Sequence, residues 1–65
     1  QPVQVVRDSV ALRERLGRIF LDRRSLARAV AEYRRALFLD PGSRKAAAGL
    51  REAEAVAADL RTRFH

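Results

Sequence analysis

Apolar residues recur at helical intervals in three stretches of the chain. In the first, Leu12, Leu16, Ile19 and Phe20 fall three and four residues apart, which places them on one helix face. In the second, Leu26, Ala29, Val30, Tyr33, Ala36 and Leu37 form a stripe with the i, i+3, i+4, i+7 signature. In the third, Ala46, Leu50, Ala53, Ala57, Leu60 and Phe64 alternate steps of four and three, the spacing of a coiled-coil seam. The expectation is three helices: one ending near Asp22, one from Leu26 to Phe38 or Leu39, and one from Arg44 to about Arg63.

The breaks between the stretches carry the usual punctuation. Ser25 and Ser43 stand where N-caps belong. Arg23 and Arg24 put cations at the negative end of the first helix dipole. Asp40-Pro41-Gly42-Ser43 is a strong stop, because Pro cannot continue a helix and Gly tolerates the turn. The first helix is expected to begin near Val5, since Val3, Val6 and Val10 keep the rhythm and no breaker intervenes. Two other starts fit the residues: a cap at Asp8 or Ser9 with the helix opening near Val10, or Pro2 in the first turn of a longer helix.

Small residues sit among the large ones. Gly17 beside Phe20, and Ala29 beside Tyr33, leave room for a facing backbone to approach. A helical Gly costs about 1 kcal/mol against Ala, so a close contact is the reason expected for Gly17. Leu16, Gly17, Phe20, Ala29, Tyr33 and Pro41 fall at the intervals of the tetratricopeptide repeat motif, and Leu26, Ala36, Leu37, Leu39 and Asp40 agree with its consensus. The stretch from residue 10 to residue 43 therefore resembles one repeat of that family. It departs at Arg13, where the family carries a large apolar residue, as suits a first repeat whose outer face meets water. Leu50 falls where a second repeat has its Leu, but Arg51 and Glu54 replace the following Gly and Tyr. The resemblance implies an all-α fold: an antiparallel helical hairpin, residues 10–43, with residues 44–64 as a third helix packed back as a cap, the whole of residues 1–65 being one small module.

A chain of 65 residues buries only about 60% of its unfolded surface. No Cys is present to staple it, so its stability must come from helix packing or self-association. No apolar run approaches the ~20 residues of a membrane span. Gln1 in place of an initiator Met suits a processed or excised chain, or added residues, and His65 suits the start of an affinity tag. The net charge is +6 and every basic residue but Lys45 is Arg. That balance permits acidic partners. The scatter of Arg over all three helices, with abundant Ala, equally suits coding from a GC-rich bacterial genome and a module of a larger bacterial protein.

Candidate chemistry is sparse. The single His is terminal, and no metal-ligand cluster or phosphate-binding Gly loop occurs; neither an enzyme, a cofactor nor a metal is expected. Glu14–Arg18 and Asp59–Arg63 are expected as i, i+4 surface pairs. Binding is the better prospect. The resemblance implies a groove lined by the first helix of the hairpin and by the third helix. Helical phase assigns to it Ala11, Glu14, Arg18 and Leu21, with Lys45, Ala48 and Glu52 opposite. Arg18 suits a partner carboxylate, bound bidentately, as well as it suits Glu14. The family's clamp for acidic C-terminal peptides depends on Asn, which this chain lacks, so that clamp is not implied. The function expected is a protein-interaction scaffold that binds a protein or peptide. The alternatives are self-association through Phe38, Leu60 and Phe64, and, less favoured, nucleic-acid binding through Arg23, Arg24, Arg28, Arg34 and Arg35, which lacks base-stacking aromatics and a recognition helix.

Overall fold

The computed structural model describes residues 3–64, the side chain of Phe64 excepted; Gln1, Pro2 and His65, and with them the expectations for Pro2 and a tag, lie outside the described residues. The chain is all-α: α1 spans Val3–Asp22, α2 Leu26–Leu39 and α3 Arg44–Phe64, and no strand occurs among the described residues. α1 thus starts two residues before the expected Val5 and runs through Asp8 and Ser9. There Gln4 Nε2 donates to Asp8 Oδ1 (3.0 Å) along the helix surface.

Short turns reverse the chain twice. At the first, Ser25 N–H bonds the Phe20 carbonyl (2.8 Å) and Arg24 N–H the Leu21 carbonyl (3.0 Å), the pattern of a Schellman motif. That motif needs a left-handed residue, and Arg24 supplies it at φ 61° although it is not glycine. Arg24 Nη1 also donates to the Leu21 carbonyl (2.8 Å), a second donor on that oxygen at the end of the helix. Ser25 holds the N-cap position of α2, but its side chain makes no capping bond, contrary to expectation. At the second turn Asp40 Oδ1 accepts from Gly42 N–H (3.1 Å). Ser43 Oγ then caps α3 by accepting from Ala46 N–H (3.1 Å), and its hydroxyl donates to Glu14 of α1. One serine therefore starts the third helix and ties that start to the first.

α3 leans chiefly on α2 and touches α1 over a short stretch. The core common to the three helices is built of Val10, Leu21, Ala29, Tyr33, Ala36, Ala46 and Ala53, with Gly17 and Gly49 also buried. Among the described residues, Leu21 is the only large side chain sealed completely. Most of the core is thus Ala and Gly, which lets the helix backbones come close. The stripe of α2 and the seam of α3 are buried or half-buried as expected, Leu60 being half-buried and Phe64 lying outside the described side chains. α1 turns differently. Its buried line is Val10, Gly17 and Leu21, while Leu16 and Phe20 are half-buried and Leu12 and Ile19 are 52% and 38% exposed. The apolar patch expected to form the core contact of α1 lies at the edge of that contact.

The ring of Tyr33 is the centre of this packing. It lies on α2, only 2% exposed, between Gly17 of α1 and Gly49 of α3. A Cβ added to Gly17 would stand 2.7 Å from Tyr33 Cζ, and one added to Gly49 would overlap the ring outright. What approaches Gly17 is thus a ring, not the facing backbone expected. Gly17→Ala and Gly49→Ala should each destabilise the fold by roughly 1–3 kcal/mol through overpacking, although Ala is the better helix former by about 1 kcal/mol. In a Tyr33→Ala background the same two changes should become neutral or stabilising. Urea denaturation followed by circular dichroism reads both arms; loss of the sign reversal would refute the clasp.

Candidate functional site

A cleft opens where α1 and α3 diverge over the edge of Tyr33. It encloses about 490 Å³ and is lined by Ala11, Glu14, Arg15, Arg18 and Ile19 of α1, Tyr33 of α2, and Lys45, Ala48, Gly49 and Glu52 of α3. Its origin is the same pair of glycines. They admit the ring of Tyr33, which lines the cleft together with residues of both helices.

Six of the seven residues assigned to a groove from helical phase meet here: Ala11, Glu14, Arg18, Lys45, Ala48 and Glu52. Leu21 does not. It is 0% exposed and belongs to the core, so no partner can reach it. The phase assignment failed because it took Ile19 and Phe20 as the inward direction of α1, whereas the inward direction is set by Gly17 and the ring against it. Arg15, Ile19, Tyr33 and Gly49 line the cleft as well, beyond the residues that helical phase assigns to it. Gly49 carried a usable signal: a glycine inside a helical pattern, like Gly17, marks a close approach.

The charges of the cleft are mostly spoken for. Arg18 Nη2 donates to Glu52 Oε1 (2.8 Å) and Nη1 to Glu52 Oε2 (3.2 Å), a bidentate pair joining α1 to α3, with Asp22 Oδ1 3.4 Å from Nη1. The hydrogen bond it donates to Glu52 is the main reason the guanidinium is held protonated above its ordinary range, and accepting that bond is the main reason Glu52 is held below the usual carboxylate range. The expected Glu14–Arg18 pair is not formed, because Glu14 accepts from Ser43 and Arg18 turns to Glu52 and Asp22. The fork of Arg18 is occupied by Glu52 from within the chain. Arg15 and Lys45 are the cations of the cleft with no ion-pair partner among the described residues. The expected Asp59–Arg63 pair does form, at 3.2 Å, far along α3.

A second polar cluster lies across α1 from the cleft. Glu32 of α2 is 5% exposed, and both its oxygens accept from Arg13 Nη1 (3.1 Å each), with Arg35 Nη1 2.9 Å from Oε1. Arg13 is therefore no solvent-facing substitute for an apolar residue; it neutralises a buried carboxylate between α1 and α2.

These features define the class plainly: an all-α protein of three helices, with a cleft between the first and third. Among the described residues no helix is long and apolar enough to cross a membrane, and no group of three or more His, Asp and Glu side chains is placed to hold a metal ion. Comparison with protein-family models, with curated proteins and with solved structures finds no match to this chain.

The two titrating groups beside the cleft set opposite pH limits. Glu52 has a lowered pKa in the fold, so its contribution is present above the ordinary Glu range near ~4.3 and is lost as pH falls through the folded value. Tyr33 has a raised pKa, chiefly because burial disfavours the phenolate, with Arg18 opposing. Its contribution is present below the ordinary Tyr value near ~10 and is lost as pH rises above it. Urea midpoints should therefore fall at both extremes. Glu52→Gln should flatten the acid limb alone and Tyr33→Phe the alkaline limb alone.

Proposed function

We propose that this chain is a protein-interaction module of tetratricopeptide type, which binds a protein or peptide segment in the cleft between α1 and α3. The observation that carries the reading is the cleft itself: six residues chosen from the repeat pattern converge on one concavity. Its floor is Tyr33, its apolar walls are Ala11, Ile19 and Ala48, and its unpaired charges are Arg15 and Lys45. Concave sites with apolar walls and a few placed polar groups are where ligands bind. The spare cations favour a segment carrying Asp, Glu or a terminal carboxylate. Arg18 and Glu52 form the wall rather than the recognition element. The offset of 34 residues between these partners equals one repeat period, which is the spacing expected if α3 occupies the position of the next repeat's first helix.

The test is selection of displayed random peptides on the folded chain, followed by binding of the enriched peptides to Ala48→Trp, a surface change that fills the cleft. Binding should weaken at least tenfold while the helical circular dichroism is retained. Enriched peptides that bind both proteins equally would refute the cleft as the site.

A second reading, self-association, is favoured by one observation: Phe38 is 87% exposed on α2. A net charge of +6 opposes it. Under this reading light scattering over a concentration series shows a mass rising toward a dimer, and Phe38→Ser abolishes the rise. A constant monomer mass at the highest concentration eliminates self-association.

A further inference from the structure

The outward side of α1 keeps an apolar seam that no part of the described chain covers, running up to Ile19 at the wall of the cleft. Val5, Leu12 and Ile19 recur every seven residues and are 49%, 52% and 38% exposed, with half-buried Leu16 between the last two. Seven-residue recurrence with an intervening apolar position is how one helix offers a seam to another. Beside the seam, half-buried Phe20 opens into a recess of about 280 Å³ whose other wall is Arg28, Ala31, Glu32 and Arg35 of α2. We propose that this outer groove of α1 and α2 docks an amphipathic helix of a partner protein, apolar along one line and acidic along its edges.

The charge of the rim selects the occupant. The carboxylate of the recess, Glu32, is buried and already bound by Arg13 and Arg35. Arg28 makes no ion pair among the described residues and lies over Phe20, 5.8 Å from the ring centroid. Arg28 and Arg35 thus line the recess beside a single carboxylate that Arg13 and Arg35 already neutralise, so the rim is cationic and attracts acidic side chains. A second copy of the chain would bring its own +6 against this rim. A lipid surface would meet the exposed seam but would leave the recess between the helices unfilled. A rod with protruding side chains fills both, as α3 does against α2. From Val5 to Ile19 the seam is about 21 Å long at a rise of 1.5 Å per residue, so it takes roughly four turns of partner helix.

The experiment titrates the isotope-labelled chain with a designed 18-residue helical peptide, Leu at the seam positions and Glu on both flanks. Its counterpart carries Lys in place of every Glu. The acidic peptide should shift the amides of Val5, Leu12, Leu16 and Phe20, and the Lys peptide should bind at least tenfold more weakly. Val5→Gln with Leu12→Gln, both at exposed positions outside the cleft, should weaken the acidic peptide tenfold or more with the helical signal unchanged. Arg28→Glu should do the same at low salt. Equal affinity for the two peptides, shifts confined to Lys45 and Ala48 of the cleft, or no shift at millimolar peptide would each overturn the proposal. So would movement of the seam amides on dilution of the chain alone, which assigns the groove to a second copy, or on adding anionic phospholipid vesicles while the peptide leaves them unmoved.

Discussion

The clasp of Gly17 and Gly49 around Tyr33 is the constraint on which the other features rest. A tyrosine ring is large and flat, and here it abuts the backbone of two helices at Gly17 and Gly49. Only glycine leaves the space, and each glycine weakens its own helix by about 1 kcal/mol against Ala. Burial of an aromatic side chain offsets that penalty, since a fully buried ring contributes about 1.5–3 kcal/mol. The same arrangement fixes the spacing of α1 and α3. α1 and α3 make few contacts with each other, and the cleft is lined by both together with the ring.

Polar contacts then lock the register that the ring allows. Ser43 ties the start of α3 to Glu14, Arg18 ties the middle of α3 to α1 through Glu52, and Arg34 reaches Glu54 across the α2–α3 seam at 3.7 Å. These pairs are exposed or partly so and each contributes little alone. Their value is directional, because a one-turn slip of α3 would break the Ser43 and Glu52 contacts together. Glu32 is different. Its carboxylate is buried, and removing Arg13 or Arg35 would leave a charge with less compensation than its burial requires.

The parts of the fold that were legible are those where one helix meets one neighbourhood. α2 lies between the other two, so its stripe of Leu26, Ala29, Tyr33 and Ala36 points inward on any plausible arrangement. The seam of α3 reads correctly for a similar reason. α1 carries two apolar lines, and sequence alone favours the one with larger residues, Leu12, Leu16, Ile19 and Phe20. The structure buries the other, because its small residue, Gly17, is what permits contact with the ring. Leu21 was misplaced for that reason alone. The partner of Arg18 was not legible either: Glu14 and Asp22 lie within one turn, whereas Glu52 is 34 residues away and comes near only through folding. Arg24 shows a third kind of silence, since nothing in an arginine announces a left-handed turn that its flanking hydrogen bonds impose.

A core made mostly of Ala and Gly has a consequence for the surface. Helices that pack through small residues approach closely, but they remove little apolar area from water per residue. The larger apolar side chains of this chain are accordingly found at the margins: Leu12, Ile19 and Phe38 are exposed while Ala29, Ala36, Ala46 and Ala53 are sealed. Burying them internally would require the helices to separate, and separation would release the ring from its glycines. The chain therefore keeps close backbone contact inside and apolar surface outside. A 65-residue chain with so thin a core gains from anything that binds the folded state, because that binding adds to its stability by mass action. Partner binding and folding are in this sense the same problem for the molecule: the residues that would strengthen its core are the ones its packing geometry leaves available to others.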